Sequence, residues 1–135
     1  MAIITWADLY SVGVERFDHQ HQKLFAIVND LHDAMSSGRG QMELNNILDQ
    51  LIDYTQTHFT AEENLMREYH YPDLEKHCQR HKELTQQVLD FKTKYDSGKI
   101  GLSIQLTQFL KDWLANHILG EDKQYSLFFQ SLKIH

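Results

Sequence analysis

One cysteine, one proline and six glycines in 135 residues leave this chain few means of breaking or stapling its backbone. The lone thiol, Cys78, has no partner for an internal disulfide, so a reducing compartment, the cytoplasm, is expected. Basic runs are missing too. A formal charge of −6 gives phosphate backbones no concentrated cationic surface, which excludes nucleic acid as the expected partner. No apolar stretch nears the roughly 20 residues of a membrane-spanning helix. Residues Met1 to Trp6 lack the basic start and long apolar core of a secretory signal. What remains is 41% hydrophobic and 24% charged, a composition suited to one domain with its own core.

Turn-forming residues gather at three places: 36–40, 70–73 around Pro72, and 96–101. Between them the apolar residues recur at helical spacing. Leu24, Phe25, Val28, Leu31 and Met35 mark a first helix over about 18–37, with Asp18 as its expected N-cap. Leu44, Leu48, Leu51, Thr55, Phe59 and Met66 mark a second over about 41–68. A third, about 74–96, carries Leu84, Val88, Phe91 and Tyr95, and a fourth, about 102–119, carries Leu106, Leu110, Trp113 and Leu114. No alternating strand pattern competes. Short connections make neighbouring helices antiparallel, so the expected fold is an all-α, up-down-up-down four-helix bundle. An extended N-terminal arm (1–17) would precede the bundle (18–119), and a short helical tail (120–135) would fold over one end. All 135 residues would form a single domain. Phe128 and Phe129 in that tail could instead form an exposed patch for self-association; the expected state is a monomer.

Nine histidines is a high count, and their placement matters more than their number. His58 and Glu62, like His77 and His81, are spaced i, i+4, which stacks two side chains on one helix face. His21 stands at the start of the first helix and His117 at the end of the fourth. In an up-down-up-down bundle all of these lie at one end. Each lies about 16 residues from the opposite end of its helix, so at about 1.5 Å per residue they share one level. His58 and His81 continue apolar stripes and should point inward. Asp122 follows His117 by five residues, about 140° round an unbroken helix, so Gly120 is expected to end the helix and let Asp122 fold back.

Five imidazoles and two carboxylates exceed what one tetrahedral zinc takes, and no cysteine pair suggests a structural zinc site. They suit two octahedral ions if both carboxylates bridge. Ligand type alone does not select among iron, zinc, copper and nickel. The set is richer in nitrogen than the Glu and Glu-x-x-His sites of ferritin-type bundles, which should favour reduced ions.

These residues make the chain similar to the hemerythrins, specifically their single-domain bacterial members. The likeness runs through Trp6, Ser11-Val12-Gly13-Val14, Asp18-His19-Gln20-His21-Gln22, His58 to Glu63, His77 to His81, and Trp113 to His117 followed by Asp122. The resemblance implies two non-haem iron ions with a bridging oxo or hydroxo group, binding dioxygen reversibly. His77, His81 and His117 would hold one iron, His21 and His58 the other, and Glu62 and Asp122 would bridge them. Leu114 and Phe59 would line an apolar dioxygen pocket. The implied role is carriage, storage, delivery or sensing of dioxygen, with a membrane or soluble oxygen-consuming enzyme as recipient.

A binding protein rather than an enzyme is therefore expected. A di-iron oxidase or peroxidase, a two-metal hydrolase, and a nitric oxide or iron sensor are the competing readings. Of the remaining polar residues, Glu63 is expected to be a solvated charge, Cys78 a small buried apolar group, and His19, His32, His70 and His135 ordinary.

Overall fold

Four apolar stripes at helical spacing become four long helices because each must cover its stripe against another. The structure is a computed structural model describing residues 3–39, 41–96 and 104–135, without the side chains of Gln41, Tyr95, Ile104, Gln105 and Leu106. The helices are α1 (Glu15–Ser36), α2 (Gln41–Glu68), α3 (Leu74–Asp96) and α4 (Ile104–His117), followed by a π-helical turn (Ile118–Asp122) and α5 (Lys123–Ser131). No strand occurs among the described residues. The result is the expected four-helix bundle, its core built on residues such as Leu24, Val28, Leu31, Leu48, Leu51, Leu84 and Leu110. The break at 97–101 and the core placements of Tyr95 and Leu106 lie outside the described residues.

Helices α1, α2 and α5 end in one way, with a left-handed residue that turns the chain back over the last carbonyls. Gly38, His70 and Lys133 hold that position, with φ of 69°, 58° and 59°. The next residue then reaches back: Arg39 N to Ala34 O at 3.0 Å, Tyr71 N to Met66 O at 2.8 Å, Ile134 N to Phe129 O at 3.0 Å. After α2 this wrap buries Tyr71 beside Met66, and Pro72 prevents the helix from resuming at once.

The expected start of the first helix needs correction. Helix α1 begins at Glu15, with Val14 at its N-cap position, so Asp18 is not the cap. The Asp18 carboxylate instead accepts from Val12 N (2.8 Å) and Ser11 Oγ (2.6 Å). Gly13, at φ 74°, turns the arm so that these donors face the helix. Asn29 holds the arm further along, accepting from Ile3 N and Ile4 N and donating to Ile4 O. Trp6 and Tyr10 pack their rings on Phe25, 5.4 and 5.0 Å away.

The tail does form a helix over the bundle, and it clasps the arm as well. Ser126 Oγ donates to Val12 O at 2.6 Å and Lys123 Nζ to Ser11 O at 2.5 Å. Phe129 is fully buried and Phe128 half-buried against Tyr71, so the pair makes no exposed patch. Truncating Phe129 to Ala should cost about 3–5 kcal/mol, the usual range for emptying a buried aromatic position. Urea unfolding would measure it, and a loss below about 1 kcal/mol would mean that α5 is not docked in solution.

Candidate metal centre

At the end of the bundle where α1 starts, α2 ends, α3 starts and α4 ends, the apolar core gives way to ionisable groups. His21, His58, Glu62, His77, His81, His117 and Asp122 are all buried there. The i, i+4 pairs point inward from α2 and α3, each continuing a stripe of buried residues: Leu48, Leu51 and Thr55 before His58, Leu84 and Val88 beyond His81. The structure brings together all seven candidate donors.

Asp122 arrives by a route that the sequence reading missed. The helix does not stop at Gly120. It widens into the π-helical turn Ile118–Asp122 and runs on into α5. Its i→i+5 hydrogen bonding brings residues five apart into register, removing the angular mismatch of an α-helix. Asp122 thus lies with Oδ1 3.1 Å from His117 Nε2.

The two carboxylates divide their oxygens between two sets of imidazoles. Glu62 Oε1 lies 3.2 Å from His81 Nε2 and 3.9 Å from His77 Nε2, while Oε2 lies 3.2 Å from His58 Nε2 and 3.4 Å from His21 Nε2. Asp122 Oδ1 faces His77 and His117 at 3.2 and 3.1 Å, and Oδ2 faces His21 at 3.1 Å. Two overlapping groups result, one of Glu62, His77, His81, His117 and Asp122, the other of His21, His58, Glu62 and Asp122. Within each group the candidate donor atoms lie within 4.8 Å of one another. All five Nε2 atoms, Glu62 Oε1 and both Asp122 oxygens are buried without a hydrogen bond. So many orphaned polar atoms converging on one point are costly unless something binds them, and this donor set fits a pair of cations.

Several residues behind these donors were not singled out from sequence. His81 Nδ1 donates to Glu63 Oε2 at 2.7 Å, His117 Nδ1 to Glu121 Oε2 at 3.0 Å, and His58 Nδ1 to Gln20 Oε1 at 2.5 Å. Such bonds fix the tautomer that leaves Nε2 free to bind metal. Glu63 is therefore not the solvated charge expected; it is half-buried, and although burial raises its pKa, His81, Cys78 and His77 together hold it down. Glu121 had a sequence signal, its i, i+4 spacing from His117, whereas Gln20 and Glu63 sit beside candidate donors at angles that suggest no contact. Tyr125, three residues after Asp122, donates its phenol hydrogen to Glu62 Oε2. Burial and the two carboxylates push the Tyr125 pKa well up, so it stays a donor. Burial and a hydrogen bond from its thiol to Glu63 raise the pKa of Cys78, only half-buried, to about 11. His32, also half-buried, lies 3.2 Å from Thr107 Oγ1.

Apolar groups enclose the cluster. Phe59 stacks on His81 with centroids 3.7 Å apart, and Phe17 meets His58 edge-on. Leu24, Phe59, Trp113, Leu114 and Ile118 line an enclosed hollow against His21, His58 and His117 that has no room for a water-sized sphere. On the other side, a half-open cavity of about 330 Å³ reaches His77 between Lys76, Arg80 and Glu83.

Fold and site together define a class: helical bundles with a buried histidine–carboxylate cluster able to hold metal. Comparison with known proteins narrows it. The family model described as "Hemerythrin HHE cation binding domain" matches residues 12–126. The chain is 37% identical over 126 residues to the bacteriohemerythrin of Methylococcus capsulatus, covering 93% of this chain and 95% of that one. It is 32% identical over 126 residues to that of Stenotrophomonas maltophilia, covering 93% and 81%. A crystal structure of wild-type hemerythrin superposes with a TM-score of 0.87 at 35% identity, covering 93% of this chain and 97% of that one. This chain belongs to the hemerythrin family.

Without metal, the charges must balance among the side chains. Burial alone would lower the histidine pKa values, but Asp122 and Glu62 overcome it and raise His21 and His77 to about 9 and His117 to about 10. For His58 burial wins and its pKa falls. Against burial, the histidines hold Glu62 and Asp122 below the usual carboxylate range. A raised histidine pKa adds stability that is full below about 6.5 and fades as pH climbs through the folded value. Lowered carboxylates add stability above about 4 that is lost on acidification. The metal-free protein should accordingly melt highest at about pH 5–7 and lower near pH 10, by calorimetry. A Tm rising toward pH 10 would contradict this balance. Loading metal near pH 7 should release about three protons, read with an indicator dye, because imidazole ligands must be neutral.

Proposed function

We propose that this protein binds dioxygen reversibly at two non-haem iron ions joined by an oxo or hydroxo bridge, in the manner of its family. The observation that carries the proposal is the division of Glu62 and Asp122, each with one oxygen toward either set of histidines. His77, His81 and His117 would hold one ion, His21 and His58 the other, with both carboxylates shared. When bound, the iron pair supplies the electrons that let dioxygen be taken up and given back.

The protein's own part is to hold, orient and exclude. Among the described residues four protein donors face the His21–His58 position, against five at the other, which leaves room there for a small molecule. The hollow beside it, lined by Leu114 and Phe59, is apolar and too tight for water. Dioxygen is small and apolar; water and protons, which would promote irreversible oxidation, are kept away. Dioxygen must displace side chains to enter, so access depends on brief movement of groups such as Leu114. Residues 1–135 act as one domain in this reading, with arm and tail closing the metal end. Carriage or delivery by a cytoplasmic monomer to an oxygen-consuming enzyme completes the proposal. The raised pKa of Cys78 supports an unreactive thiol rather than a redox sensor.

Protein loaded with ferrous iron without air should develop a visible absorption band on aeration and lose it on deoxygenation. Colour that never reverses, with a co-substrate oxidised alongside, would indicate an oxidase or peroxidase instead. His77→Ala and His117→Ala should each lower bound iron, counted by elemental analysis, and full occupancy in either would refute the assignment. Leu114→Ala should speed spontaneous loss of the reversible band; an unchanged rate would remove Leu114 from the pocket.

A further inference from the structure

The two halves of the cluster differ in more than donor number. In the first, His81 donates to the carboxylate of Glu63 and His117 to that of Glu121. In the second, His58 donates to Gln20, a neutral amide, and the buried Nδ1 of His21 has no hydrogen bond among the described residues. An imidazole whose N–H is drawn toward an anion is a stronger base at its other nitrogen. One bound to an amide gains less, and one bound to nothing gains none. From this asymmetry we infer that the two metal positions fill in order: the His77–His81–His117 position first and tightly, the His21–His58 position second and more weakly.

This inference rests on the two-ion reading above and deepens it. Three reinforcing differences point the same way: three imidazoles against two, two charged outer partners against one neutral partner, and, among the described residues, a buried Nδ1 without a hydrogen bond only in the second half, since the Nδ1 of His77 is not among the buried unpartnered atoms. The outer carboxylates are themselves unequal. Arg80 Nε donates to Glu121 Oε1 at 2.7 Å, drawing away part of the charge that His117 would feel. Glu63 has no such cationic partner among its described hydrogen bonds and ion pairs, so it strengthens the first position more than Glu121 does. The protein therefore has a stable one-ion form. When metal is scarce it loses the ion beside the apolar hollow first and keeps the other. Glu63, Glu121 and Gln20 are positioning residues that act through the imidazoles.

Titrating the metal-free full chain with Zn²⁺, a redox-silent probe, and counting bound ions by native mass spectrometry tests this. At one equivalent the one-ion species should dominate, and at two equivalents the two-ion species. Glu63→Gln should weaken the first step by about 10–100-fold, the usual effect of losing an outer partner, with a smaller loss for Glu121→Gln. Gln20→Glu should tighten the second step. His21→Ala should abolish the weak step alone, with helix content by circular dichroism confirming that each variant folds. A purely structural role for Glu63 would lower both steps together, and that result overturns the inference. So does a wild type that passes from zero to two ions with no one-ion form. Saturation at fewer than two ions is a separate failure, because it removes the two-ion reading itself.

Discussion

Two buried acids shared between two sets of bases is the constraint on which this molecule is organised. Glu62 and Asp122 have no exposed surface, and an isolated carboxylate in such a place costs several kcal/mol after relaxation. Five imidazoles have to converge on them for the bundle to tolerate the burial. That requirement explains why four helices place their donors at one level. It also explains why the last donor comes from a turn with its own geometry rather than from a fifth helix face.

Around that polar centre the structure spends its most specific interactions. Glu63, Glu121 and Gln20 fix the imidazoles from behind, and Tyr125 fixes Glu62. Arm and tail then lock together through Ser11, Val12, Lys123 and Ser126, next to Asp122 in sequence. The rest of the bundle is ordinary apolar packing with trapped aromatic rings. Packing that keeps water out of the hollow and packing that holds the helices are the same set of residues at Phe59, Trp113 and Leu114.

Helical period and i, i+4 spacing made much of this legible beforehand. Stripes such as Leu44–Leu48–Leu51–Thr55 announce a helix and a buried face, and His58 at the next position inherits that direction. The level of the donors could be counted because rise per residue is constant. What could not be read was anything that departs from those periods. Asp122 was named as a donor, but its route escaped because a π-turn has no composition signature, and the role of Asp18 escaped because an arm folding back claimed its carboxylate before the helix start could. Glu63 was misjudged for a related reason. Its angle on α2 is outward from the bundle axis, but α3 brings His81 Nδ1 to that flank, a tertiary fact that no local pattern encodes. The family resemblance named the donors but not these outer partners.

The π-helical turn between α4 and α5 makes spacing there matter more than chemistry. Leu119 and Gly120 are exposed, and a Cβ added at Gly120 would meet open space. Their identities are free to drift. Their number is tied to the width of the turn: with one residue fewer and an ordinary α-helical turn, His117 and Asp122 would stand i, i+4 on one face, so the π-turn is what absorbs the extra residue. Tyr125, Ser126 and Phe129 reach Glu62, the arm and Tyr71 because the wider turn takes up that residue before α5 begins. Evolution can rewrite this stretch letter by letter, provided its length and the width of its turn change together.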